Sequence, residues 1–167
     1  DEEHQKELGE PAFSPDGRYI YFSVDSTSGS TFVYAQDSND QIFEIRRHDM
    51  QTGETESFVT GAGGAVRPTP SPDGRYLAFV RRIRAKSALF LKDLVSGAEK
   101  PLYESLDQDL QEVWGVQGLY PNMDWTPDSK SIVFWADGRI KRVDIEGLKV
   151  SDIDFHVTDT RTVYDAP

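Results

Sequence analysis

The chain has no cysteine among its 167 residues, so neither a disulfide framework nor a thiolate metal site can form. On that count it fits the cytoplasm, the periplasm or secretion. No segment approaches the ~18 consecutive apolar residues that a membrane-spanning helix needs. Positive charge is scarce: 18 Lys and Arg stand against 29 Asp and Glu, a net charge of -11. That balance excludes nucleic acid and anionic lipid as partners, because their phosphates are bound by neutralising cations. Arg81, Arg82, Arg84 and Lys86 form a local exception. They read as a patch for an acidic partner or, as charge runs more often do, as the solvated tip of a hairpin.

Catalytic signatures are missing as well. The histidines, His4, His48 and His156, are too far apart for His-x-His or His-Glu-x-x-His metal spacing. No Gly-x-Ser-x-Gly elbow occurs. Gly61-Ala62-Gly63-Gly64 fails as a nucleotide loop, since Val66 stands where a third glycine is needed and a strand pattern follows. It reads as a connection between structural units. Asp37, Asn39 and Asp40 offer oxygens to calcium but lack the twelve-residue loop and closing Glu of an EF-hand. The opening Asp1-Glu2-Glu3-His4 is not a basic stretch followed by an apolar run, so no signal peptide is expected in this stretch, and a processed start reads the same way. No cofactor, metal or catalytic residue is expected.

What the chain does have is a core and a repeat. Hydrophobic residues make up 37% and aromatics 11%, enough for a packed interior. Ser14-Pro15-Asp16-Gly17-Arg18-Tyr19-Ile20-Tyr21-Phe22 recurs as Ser71-Pro72-Asp73-Gly74-Arg75-Tyr76-Leu77-Ala78-Phe79. A weaker third copy runs from Thr126-Pro127-Asp128-Ser129 to Phe134. The copies start at 14, 71 and 126, spacings of 57 and 55. Pro presets φ for a tight turn, Asp accepts hydrogen bonds from turn amides, and Gly takes positive φ. Asp16, Gly17, Asp73, Gly74 and Asp128 are therefore structural turn residues. The apolar runs that follow are continuous, as in a strand covered on both faces.

Each unit holds four strand patterns: 11–13, 19–22, 41–46 and 56–60 in the first; 67–70, 76–79, 88–92 and 100–103 in the second; 122–125, 132–135, 139–143 and 149–155 in the third. The chain therefore reads as all-β, a β-propeller segment of about three four-stranded antiparallel blades, with a β-sandwich as the alternative. The blades fall at about 10–60, 65–104 and 120–155, and 156–167 is a tail or the start of another blade. Two insertions interrupt them: a polar loop at 25–40 carrying Phe32 and Tyr34, and a short helix at 105–118. The helix is signalled by Ser105 and Gln108 as a capping box and by a stripe of Leu106, Leu110, Val113 and Trp114. It would pack on a blade edge, or form a binding ledge with Trp114 and Tyr120.

The Ser-Pro-Asp-Gly-Arg-Tyr units resemble the repeats of TolB-like (WD40-like, PD40) propellers, which resemble the propeller domains of prolyl-oligopeptidase-like peptidases. The third unit departs from the pattern with Ser129 for Gly and Ser131 for Tyr. The stretches 64–71 and 121–128 are similar to the propeller attached to certain bacterial secreted amidohydrolases. That resemblance implies a periplasmic or secreted protein and a metal-dependent catalytic domain lying elsewhere. The chain itself would be a non-catalytic module for protein binding or scaffolding, or the substrate-gating part of a larger hydrolase. Its partners would be a protein or peptide, the remaining blades, or a second copy completing a six-bladed ring. Arg67, Asn122, Asp124, Trp114 and Tyr120, on inner strands or insertions, are the candidate binding residues.

Overall fold

A computed structural model describes residues 6, 8–31, 36, 37, 39–107 and 122–163. Among them are β1 (Leu8–Phe13), β2 (Tyr19–Asp25), β3 (Phe43–Asp49) and β4 (Thr55–Val59) of a first blade. The second blade has β5 (Val66–Pro70), β6 (Tyr76–Ile83), β7 (Lys86–Asp93) and β8 (Glu99–Tyr103). The third has β9 (Met123–Trp125), β10 (Ser131–Ala136), β11 (Arg139–Asp144) and β12 (Val150–Ile153). Each blade is a four-stranded antiparallel sheet with its strands in chain order. The expected helix at 105–118 lies, from 108 onward, outside the described residues, as do Phe32 and Tyr34.

The repeated turns show why the sheets form. The hydroxyl of Ser14 donates to Asp16 Oδ1 at 2.5 Å and accepts from the Tyr19 amide at 2.9 Å, while Asp16 Oδ1 also takes the Arg18 amide. Ser71 with Asp73, and Thr126 with Asp128, repeat the arrangement. Gly17 and Gly74 adopt φ of 70° and 72°, and Ser129 takes the same left-handed conformation at 58°. The third turn thus keeps its geometry without glycine. Ser129 has a use for its side chain: Oγ accepts the Asp73 amide of the second blade at 3.0 Å.

A second turn closes each outer hairpin. Asp49 Oδ1 accepts the amides of Gln51 and Thr52, and Asp93 Oδ1 those of Val95 and Ser96. This corrects the third strand of the first blade, expected at 41–46. Its ladder with β2 continues until Asp49 stands opposite Tyr19, and the chain bends only where the aspartate gathers the turn amides.

The sheets approach one another through their first strands: β5 lies against β1, β2 and β3 on one side and against β9 on the other. Between the first two blades, Tyr21, Ile45 and Val59 pack on Leu77 and Phe79. Between the second and third, Ala78, Val80, Leu89 and Leu91 pack on Ile132, Phe134 and Val143. The central blade is buried on both faces, which accounts for its unbroken apolar run. Gly63 and Gly64 carry the chain from the first blade to the second so tightly that a Cβ would lie 2.0 Å from the Arg82 carbonyl oxygen or 2.7 Å from that of Phe43. The arginines of the expected basic patch help to hold this crossing. Arg81 Nε donates to the Gly64 carbonyl and Nη2 to that of Thr60, with Glu99 paired at 2.7 Å, and Arg82 is buried. The β6–β7 hairpin is as expected, but these two side chains are structural rather than a solvated tip.

Candidate functional site

Four residues before each turn hydroxyl, Glu10 in β1, Arg67 in β5 and Asn122 just ahead of β9 stand at equivalent positions. Bulges interrupt the ladders of β1 between Gly9 and Ala12 and of β5 between Val66 and Thr69. At these bulges Glu10 and Arg67 take φ of 57° and 58°, a conformation that costs a non-glycine residue about 1–2 kcal/mol. The neighbouring blades supply the bonds that hold it. Glu10 Oε2 accepts the Arg67 backbone amide at 2.7 Å and the Ser23 hydroxyl at 2.8 Å. Glu10 Oε1 pairs with Arg67 Nη2 at 3.1 Å, and Arg67 Nη1 donates to Asn122 Oδ1 at 2.6 Å. One polar chain therefore runs across all three blades, from carboxylate through guanidinium to amide. Partly exposed ion pairs contribute about 0–1 kcal/mol, so the importance of this one is geometric: it fixes where the polar groups stand. Arg67 Nε is buried without a partner among the described residues.

The structure brings Arg67 and Asn122 together and sets Asp124 apart. Asp124 is exposed in β9, opposite Val133, and its carboxylate takes the Trp125 amide. Trp114 and Tyr120 lie outside the described residues. Glu10 and Ser23 are the members that sequence reasoning missed. Glu10 was within reach, since the repeat aligns it with Arg67, whereas Ser23 enters only through the packing of β2 on β5.

The turn carboxylates are occupied in the fold. The Ser14 hydroxyl and Arg18 amide hold the Asp16 carboxyl below the usual carboxylate range, and Thr126 and Lys130 do the same for Asp128. Partial burial opposes the effect at Asp73, but the Ser71 and Arg75 bonds outweigh it. Asp37 Oδ1 is engaged by the backbone and side-chain amides of Asn39, a turn interaction. His48 Nδ1 meets Thr55 Oγ1 across the β3–β4 ladder at 2.8 Å. The inner-strand chain offers fixed hydrogen-bond donors and acceptors with charges balanced between Glu10 and Arg67, an arrangement suited to recognition.

No family model matches the sequence, and no curated protein matches it. Solved structures do match. TolB from Acinetobacter baumannii aligns over 90% of this chain and 33% of its own length, with 22% identity and a TM-score of 0.65. The β-propeller domain of the Trilobed protease from Pyrococcus furiosus aligns over 87% of this chain and 41% of its own, at 16% identity and a TM-score of 0.57. A putative TolB from Agrobacterium tumefaciens aligns over 84% and 46%, at 20% identity and a TM-score of 0.57. The chain thus spans between a third and a half of these structures, and its fold is that of TolB-like β-propeller blades.

Proposed function

We propose that this chain is a non-catalytic propeller segment that binds a protein or peptide at the inner ends of its blades, with Glu10, Arg67 and Asn122 as the polar recognition groups. One observation carries the reading: equivalent positions of three blades are joined into a single bonded chain, at the expense of two strained backbones. Strain of that kind persists where surrounding structure fixes it, and it collects at binding sites. Alternating acceptor and donor groups suit the amides of an extended peptide. The test is a displayed random-peptide library panned against the protein, with binders re-measured on Arg67→Ala. Peptides that lose at least tenfold in affinity on the variant support the reading. Binders indifferent to Arg67, or no binders at all, defeat it.

A second reading treats the same blades as the substrate-gating part of a larger hydrolase. The stretches 64–71 and 121–128 support a metal-dependent amidohydrolase as the parent. The likeness to a protease's propeller domain supports a peptidase. Either predicts a catalytic domain in the same reading frame, and a frame holding only further blades would dismiss both. The TolB likeness also supports a periplasmic or secreted location, which cell fractionation tests. The module's partners include other blades, and we extend this to a second copy of the chain.

A further inference from the structure

The two joints between blades are built differently, and the repeat shows where. Between the second and third blades, Trp125 is buried, donates its indole N–H to the Thr69 carbonyl at 2.9 Å and stacks on Tyr76. Beside it, Ser129 Oγ accepts the Asp73 amide. The repeat aligns Trp125 with Pro70 and Ser129 with Gly74. Neither Pro70 nor Gly74 has a side-chain N–H or hydroxyl, so the joint between the first and second blades lacks both bonds. It holds a cleft of about 350 Å³ instead. The blades still touch there: a Cβ at Gly74 would meet Pro15 Cγ at 4.0 Å, an ordinary contact. The first blade's wall differs too, with Tyr21 and Arg47 where the second blade has Ala78 and Leu91. Arg47 lies 4.5 and 4.3 Å from the ring centroids of Tyr19 and Phe58 and pairs with Glu56. Asp16 and Asp73 line the same cleft, each with Oδ1 engaged in its own turn.

We propose that this cleft is a binding site for an aromatic ring with an N–H group, of the indole class, carrying a positive rather than a negative substituent. The ring follows from the other joint, where the same position of the fold already holds an indole. The Ala12 carbonyl stands in the first blade where that of Thr69 accepts the indole in the second. Tyr19 and Tyr21 line the cleft and give the ring the aromatic neighbours that Tyr76 gives Trp125. The sign of the substituent follows from the charges. Asp16 and Asp73 bring two carboxylates to the cleft, Arg47 is already met by Glu56, and the chain as a whole carries -11. The cleft shares no residue with the chain of Glu10, Arg67 and Asn122, so it is a second site. Free aromatic amines and a tryptophan flanked by lysines in a peptide both present this chemistry.

Amide chemical-shift titration of the nitrogen-labelled protein at millimolar ligand tests this. The probes are tryptamine, a blocked Lys-Trp-Lys peptide, indole-3-acetate and tryptamine methylated on its ring nitrogen. Tryptamine or the peptide should shift the amides of Asp16, Tyr19, Gly74 and Leu94 saturably, and indole-3-acetate should bind at least tenfold more weakly. The methylated probe, which cannot reach the Ala12 carbonyl with an N–H, should bind about threefold or more weakly than tryptamine. Pro70→Trp copies the filled joint into the open one and should abolish the shifts. The methylated probe decides the matter on unaltered protein if that variant does not fold. Tighter binding of tryptamine assigns the cleft to free amines, and tighter binding of the peptide assigns it to a partner's tryptophan. Shifts that are absent, that lie away from the cleft, that ignore the sign of the substituent or the ring N–H, or that persist in folded Pro70→Trp overturn the proposal.

Discussion

At the scale of single residues, the repeat lets one blade act as the control for another. Gly53 and Gly97 end the β3–β4 and β7–β8 turns with φ of 76° and 75°, four residues after Asp49 and Asp93. The third blade places its glycine one position early, at 147, and Leu148 takes the left-handed conformation at 52°. Leu148→Gly should therefore raise stability by about 0.5–1 kcal/mol, the strain relieved less the added freedom of the unfolded chain. Ser129 has the same backbone sign, but its hydroxyl bonds the second blade. Ser129→Gly should gain nothing or lose stability, and chemical denaturation of the two variants side by side checks the contrast. The turns were legible because their chemistry is local: hydroxyl and aspartate sit within five residues of the amides they serve. The repeat aligns Glu10 with Arg67, but neither its bond to Arg67 across 57 residues nor that of Ser23 across 44 was legible, because both depend on a bulge that leaves no mark in the sequence.

At the scale of elements, the strands differ in how much of them is covered rather than in what they are made of. Phe79 in β6 and Phe22 in β2 occupy the same repeat position, yet Phe79 is fully buried and Phe22 is not. Truncating a fully buried Phe to Ala costs about 3–5 kcal/mol, and the loss shrinks with the area already exposed. In the single chain, Phe79→Ala should therefore lower the midpoint of urea unfolding well beyond Phe22→Ala. Equal losses would mean that the first blade's face is already covered in solution. Strand number and order could be read from apolar runs and turn residues. Which face of each blade meets a neighbour could not, because all three blades carry continuous apolar runs although only the second is covered on both faces among the described residues.

At the scale of the whole molecule, acidity should act through the turns. Hydrogen bonds from Ser14, Thr126 and Ser131 hydroxyls, from the Arg18 and Lys141 side chains, and from the Ser96 and Val95 amides hold the carboxyls of Asp16, Asp128, Asp144, Asp49, Asp152 and Asp93 below their usual range. A depressed folded pKa stabilises the fold above the unfolded value, about 4, and that contribution is lost as pH falls through the depressed values. Melting followed by circular dichroism should be nearly level from pH 7 to about 5 and fall steeply below about 4. A melting temperature unchanged at pH 3 would contradict this. The order of strands has a mechanical consequence too. Every sheet is completed by four consecutive strands of its own, so no strand is lent from one blade to the next. Neighbouring blades are joined by side chains and a few isolated bonds rather than by a shared ladder, and a joint can part while each sheet keeps every rung. Such a structure is a stack of separate leaves, in which breaking the ladder of one sheet leaves every rung of the next in place.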